Sequence, residues 1–225
     1  MKFVVLTTFP EIFPGPLASS IIGKAIEKEL VQIDVINLRD FTSDAHRTTD
    51  DRPYGGGPGM VMMIEPIDKA LDSIKAKKGT SQESIILTSA KGVSFTQHHA
   101  RSFSSLDRVV IICGHYEGVD ERVAKHLVDL EVRLGDAVVT GGEIPAMMMI
   151  DAVGRLVQGV VGKEESLSME SHNVEGVGEY PQFTRPSVYK GWTVPDVLLQ
   201  GNHADIQAWR THQLSDLNKV ESDLE

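Results

Sequence analysis

The sequence predicts an α/β fold: a parallel-sheet domain over residues 1–161, an acidic interdomain linker over 162–179 and a small, mostly helical C-terminal domain over 180–225. Three observations predict it. Short continuous apolar runs, the mark of strands buried on both faces, alternate with segments of helical period through the first domain. An acidic, glycine-containing stretch without apolar periodicity then interrupts the pattern. Beyond it, aromatic residues and prolines lead into one more helical pattern. Strands separated by helices call for a parallel sheet with helices packed on it.

The elements follow in order. Lys2–Thr7 holds four consecutive apolar residues and reads as a buried strand. Leu17, Ile21, Ile22, Ala25 and Ile26 fall at helical spacing, with Glu27, Lys28 and Glu29 on the opposite face. Residues 32–38 alternate as a strand. Residues 66–78 read as a helix with proline near its first turn and Gly79 as its stop. Residues 84–88 and 109–113 are short β-branched runs suited to central parallel strands. A helix over 119–128 separates them from a strand over 130–134, and 144–161 is a long apolar helix. In the last domain, 204–214 reads as a helix with Asn202 as its N-cap and Ile206, Trp209 and Leu214 inward.

Ordinary globular composition, 41% hydrophobic and 24% charged, excludes a disordered chain and a disulfide mini-protein. The lone cysteine, Cys113, lies in an apolar run and points to a reducing compartment. No stretch approaches the ~20 apolar residues of a membrane span. The start reaches Pro10-Glu11 too soon for a signal peptide. A cytoplasmic protein is expected. The net charge of −10 would by itself argue against a nucleic-acid partner. Yet residues 163–179 carry five acids and one base, and residues 216–225 carry four acids and one base. The acidity belongs to the linker and the tail, and it does not exclude RNA.

The run Asp50-Asp51-Arg52-Pro53-Tyr54-Gly55-Gly56-Gly57-Pro58-Gly59-Met60 is the most unusual in the chain. Its glycines allow a ligand to approach the backbone, and its prolines make it a shaped loop. It is neither a P-loop nor a dinucleotide fingerprint. Arg47 and Arg52 are suited to phosphate contact. Two more glycine-bearing loops, 113–122 and 134–143, sit at the carboxyl ends of strands, where open α/β sheets bind ligands. Three such loops in one domain point to a ligand site. Arg155, in the apolar helix, reads either as an ion-paired charge or as a guanidinium aimed at a developing oxyanion. Glu170 reads as a solvated linker carboxylate unless a reaction needs it. Asp44, His46, Asp50 and Asp51 lack the spacing of a metal site, and the histidines are assigned to no metal.

Taken together, these motifs resemble the bacterial tRNA (guanine-N1)-methyltransferase family of the SPOUT superfamily. The matching stretches are Arg39 to Thr42, His46 to Thr48, Asp50 to Met60, Gly114 to Arg122, Gly135-Asp136, Gly141 to Glu143, Thr184 to Pro186 and Gly201 to Ala204. The resemblance implies a deep trefoil knot in the C-terminal half of the α/β domain, with S-adenosylmethionine bent within it. It implies an obligate homodimer whose active sites lie at the subunit interface. The implied reaction is methylation at N1 of the guanosine at tRNA position 37, 3′ to the anticodon, which maintains the reading frame.

The family's cofactor positions carry over to Leu87, Thr88 and Ser89, to Gly114, Tyr116, Glu117 and Gly118, and to Leu134, Gly135, Asp136, Ala137, Val138, Val139, Gly141, Gly142 and Pro145. Substrate contact is expected at Arg47, Asp50, Arg52, Tyr54, Gly57, Pro58 and Gly59, and in the last domain at Arg185, Asn202 and His203. The implied general base is Glu170, with Glu165 as the fallback, and Arg155 stabilises charge at guanine O6. The family's base is usually aspartate followed by Ser-Phe, whereas this chain has Glu170-Ser171-His172. Ala137 and Leu87 stand where tyrosine is usual, and His115 where arginine is common. The resemblance admits an assisting divalent ion such as Mg2+, with no feature locating one. Two other classes remain: a non-catalytic RNA-binding module on this scaffold, and a metal-dependent hydrolase using Asp44, His46, Asp50 and Asp51.

Overall fold

Phe3, Val4, Val5 and Leu6 make β1 (Lys2–Thr7) apolar on both sides, and β1 accordingly lies between two other strands. In the computed structural model, which describes residues 1–162, 170–172, 174 and 176–216, β1 pairs in parallel with β2 (Gln32–Asn37) and β6 (Arg108–Cys113). Beyond β6 come β5 (Glu83–Ser94) and β7 (Leu130–Arg133), giving a five-stranded, fully parallel sheet in the order β2-β1-β6-β5-β7. These elements belong to the first of two compact units, Met1–Gly162 and Lys163–Glu225.

Strand alternation splits the apolar runs between two cores. Phe3, Val5, Ile86, Val109, Ile111 and Val132 face one way, against Ile22 and Ala25 of α2 (Ser20–Glu27), Ala100 and Phe103 of α4 (Gln97–Ser104), and Met149, Ile150 and Val153 of α5 (Glu143–Gly154). Val4, Leu6, Ile85, Leu87, Val110 and Ile112 face the other way, against Leu38, Val123 and, from α3 (Ile64–Ser73), Ile67, Ala70 and Leu71. A short α1 (Pro14–Leu17) precedes α2, and β3 (Asp50–Asp51) and β4 (Val61–Met62) form a small antiparallel pair.

Five expectations about elements need correction, four of them in the first unit. The helix expected over 66–78 begins two residues earlier and stops at Ser73, so Pro66 is at its third position and Gly79 lies beyond it. It stops because Lys75 turns left-handed and the carbonyls of Ile74 and Lys75 accept from the Arg108 guanidinium at 2.9 and 3.2 Å. The helix expected over 119–128 is a single π turn, Val123–Leu127. Residues 118–120 are held extended against Met62, whose N–H donates to Gly118 and whose carbonyl accepts from Asp120. The long helix ends at Gly154, and residues 155–160 continue as tight turns closed by i→i+3 bonds. The run at 84–88 lies in the first half of a twelve-residue strand. Its pairing with β7 breaks between Thr88 and Val93 and resumes in a shifted register, so 89–92 leave the ladder.

The second unit carries α6 (Asp196–Leu199) and α7 (His203–His212) beside two antiparallel strand pairs, β8 (Val177–Gly178) with β11 (Ser215–Asp216) and β9 (Val188–Tyr189) with β10 (Trp192–Thr193). The Asn202 cap is as expected, its amide oxygen accepting from Ala204 N–H at 3.1 Å, but helix α7 ends at His212. Glu164, Glu165 and Glu175 of the acidic segment lie outside the described residues, as does the tail after Asp216.

Candidate functional site

The carboxyl ends of β5, β6 and β7 and the first turn of α5 surround a cavity of about 570 Å3 in the first unit. That volume lies within the range of small-molecule and cofactor sites, and the position is where open parallel sheets hold ligands.

Three chain segments meet there. Thr88 closes the ladder of β5, and its hydroxyl donates to the Ile112 carbonyl at 3.2 Å while accepting from Gly114 N–H at 3.1 Å. Gly114 in turn accepts from Gly142 N–H at 2.7 Å, and His115 bridges antiparallel to Gly141. The loops after β6 and β7 are thus stitched together. Gly142 is required by this approach. A Cβ there would lie 2.7 Å from the Gly114 nitrogen and would also strike the Thr88 hydroxyl.

The lining unites most of the expected donor-binding residues: Leu87, Thr88 and Ser89; Gly114, Tyr116, Glu117 and Gly118; Leu134, Ala137, Val138 and Val139; Gly141, Gly142 and Pro145. Gly135 and Asp136 do not line it. Gly135 makes a positive-φ turn, and the exposed Asp136 carboxylate pairs with Arg133 at 3.0 Å. Arg133 also donates to the Gly92 carbonyl at 2.7 Å, tying the loop after β7 to the bulge of β5.

The sequence reading missed Lys91, Glu131, Arg133, Ile144 and Met148 among the lining residues. Alternation along β7 could have flagged Glu131 and Arg133, because Val132 between them faces the core. Lys91 pairs with Glu121 and lies 3.8 Å from Glu131, whose buried Oε1 has no hydrogen-bond partner among the described residues. The Glu121 contact raises the Lys91 ammonium above its ordinary range and lowers the Glu121 carboxyl. Apolar walls of valine, leucine and methionine, with charged groups at Lys91, Glu117, Glu131 and Arg133, suit a ligand that carries both apolar and charged parts.

The glycine-rich segment is anchored beside this cavity. Glu117 N–H donates to the Met60 carbonyl at 3.0 Å, and Gly59, at φ 73°, rides over the Glu117 side chain, where a Cβ would come within 2.8 Å of the carboxyl carbon. Asp50 is half-buried in β3, whereas Arg52, Tyr54, Gly57 and Pro58 are exposed, Tyr54 completely. Arg47 is exposed, pairs with Asp40 and donates to the Arg39 carbonyl at 3.3 Å. Asp44 caps its own loop, accepting from His46 N–H and from Thr48, and these bonds lower its carboxyl. Its bonds therefore describe a turn. Among the described residues no three histidine, cysteine, aspartate or glutamate side chains gather as a metal site.

Arg155 follows the last turn of α5, half-buried, its N–H bonded to the Asp151 carbonyl at 3.1 Å. In the second unit Glu170 is half-buried, and Arg185 and His203 are exposed. The Asn202 side chain is engaged in its helix cap and donates to Asp205 at 2.7 Å.

Comparison with known proteins gives one answer along the whole chain. A family model described as tRNA (Guanine-1)-methyltransferase TrmD matches residues 1–223. The tRNA (guanine-N(1)-)-methyltransferase of Geobacter sp. strain M21 is 52% identical over 210 residues, 93% of this chain and 83% of the relative. Its namesake from Dehalococcoides mccartyi strain ATCC BAA-2266 is 48% identical over 93% of this chain and 84% of its own length. The one from Trichormus variabilis is 50% identical over 95% and 86%.

Proposed function

We infer that this chain, which belongs to the tRNA (guanine-1)-methyltransferase family, transfers a methyl group from S-adenosylmethionine to N1 of the guanosine at tRNA position 37. The observation that carries the reading is the cavity stitched between the strand-end loops at Thr88, Gly114 and Gly142, in a chain matched to that family nearly end to end. S-adenosylmethionine fits the lining. Its adenine ring is suited to the apolar walls, and its sulfonium and α-ammonium groups to the Glu117 and Glu131 carboxylates. The bound donor supplies an electrophilic sulfonium methyl.

The protein's residues do the remaining work. Loops 114–118 and 134–142 orient the donor, and orientation alone accounts for much of such an acceleration. Guanine N1 carries a proton at neutral pH, so a base must accept it as the nitrogen attacks. Glu170 is assigned that role, and Arg155 stabilises the negative charge that develops at O6. Arg47, Arg52 and Tyr54 of the first unit, and Arg185 and His203 of the second, are assigned to the tRNA.

The same reading includes a trefoil knot, a homodimer with active sites at the subunit interface, and action in the cytoplasm. Support for the knot is the return of 141–142 against 114–115. Support for the dimer is the exposure of Val138, Ile144 and Met148 at the cavity, apolar surface suited to cover by a partner. Mg2+ is given no step.

The test incubates the purified protein with labelled donor and tRNA bearing guanosine or adenosine at position 37. Label should enter the first and not the second. Tight tRNA binding with no incorporation would establish the non-catalytic module instead.

A further inference from the structure

Glu143 has no role in the reaction above, yet it is the most deeply buried carboxylate among the described residues, 2% exposed at the first position of α5. An acid is favoured there by the helix dipole, but burial at that depth requires partners. It has them on two sides. Oε1 accepts from the Thr7 hydroxyl at the end of β1, at 2.7 Å. Oε2 faces Nε2 of His115, on the loop after β6, at 3.8 Å.

These contacts close on themselves. The Thr7 hydroxyl also accepts from Phe9 N–H at 2.9 Å. The Phe9 ring packs on the His115 ring with centroids 4.8 Å apart. Thr7, Phe9, His115 and Glu143 thus form a ring of contacts through the end of β1, the loop after β6 and the start of α5. A methyl group added at Gly141 would strike both Glu143 and His115, so the cavity wall is built around this ring.

We propose that Glu143 is a positioning residue for the methyl donor: its buried carboxylate, held by Thr7, fixes the spacing between the loop bearing His115 and the loop ending at Gly142, which together wall the donor cavity. The inference rests on the methyltransferase reading. It does not place Glu143 against the substrate or the donor.

Two near-isosteric variants test it in the full-length protein. Thr7→Val removes the hydroxyl and keeps the volume, and Glu143→Gln keeps an acceptor for Thr7 while removing the charge facing His115. Each is expected to raise KM for S-adenosylmethionine about tenfold, with kcat and KM for tRNA within about threefold of wild type. The double variant should be little worse than either single one, because both break the same ring. Thr7→Ser should restore the wild-type value.

A purely structural role predicts another pattern: a lower melting temperature of the ligand-free protein with KM for the donor within about twofold of wild type in both variants. That result would overturn the proposal. Absence of methyl transfer by the wild-type protein would instead count against the function. In that case calorimetric titration of the same variants with S-adenosylmethionine still reads the loss of donor binding.

Discussion

The donor cavity and the residues assigned to the tRNA are built on opposite terms. Where the loops are stitched together, polar groups satisfy one another: Thr88 with Ile112 and Gly114, Gly114 with Gly142, and Thr7 with Glu143. The tRNA set is mostly exposed, with Arg52, Tyr54, Arg185 and His203 standing at the surface of their units. A small donor is best bound by a preformed site, since ordering costs then fall on folding rather than on binding. A large polyanion is engaged by surface cations and rings that lose their water only on contact. The difference predicts that substitutions at the one set change donor affinity and at the other tRNA affinity.

The largest expected effect separates chemistry from both. Glu170→Gln should slow single-turnover transfer roughly 100- to 10,000-fold while leaving calorimetric donor affinity near wild type. An equal loss of donor affinity would erase the division between the regions. Next, Gly142→Ala should abolish measurable donor binding and cost about 1–3 kcal/mol in denaturant unfolding, because its Cβ meets the Gly114 and Cys113 backbone as well as the Thr88 hydroxyl. Normal donor binding by that variant would remove the preformed cavity from the argument.

Smaller effects should lie on the tRNA side. Arg52→Ala should raise KM for tRNA about threefold and flatten its salt dependence, with KM for the donor unchanged.

The smallest concerns Asp120, whose carboxyl is lowered chiefly by its hydrogen bond to Arg122. A depressed folded pKa contributes stability above the unfolded value of about 3.9 and loses it as pH falls through the folded value. Asp120→Asn should therefore lower the melting temperature slightly at pH 7, and the difference should vanish in acid below the carboxylate range. A difference that persisted there would show that Asp120 acts through packing.

What could be read from the sequence follows the same division. β1 and β6 were legible because continuous apolar runs have few other homes, β2 because its residues alternate, and the Asn202 cap because its chemistry is local. The extension of β5 was not, since Ser89-Ala90-Lys91-Gly92 leave the ladder and carry no alternation. Helix α4 was not, because only Ala100 and Phe103 of its eight residues are buried. In the cavity, glycines announced the loops and alternation along β7 carries Glu131 and Arg133, whereas Lys91 depends on a register shift that no local pattern encodes. The ring around Glu143 joins residues 136 positions apart and exists only once the sheet is ordered.

Cys113 is the last residue of β6, wholly buried immediately before Gly114, and burial, then the nearby Glu143 carboxylate, raise its thiol well above the ordinary range. Thiolate is the reactive form, so a closed fold protects this sulfur from alkylation and oxidation. It is also the chain's only cysteine. Its labelling rate is therefore a clock for opening of the strand end that leads into Gly114, readable by mass in the unmodified protein and slowed by whatever binds there.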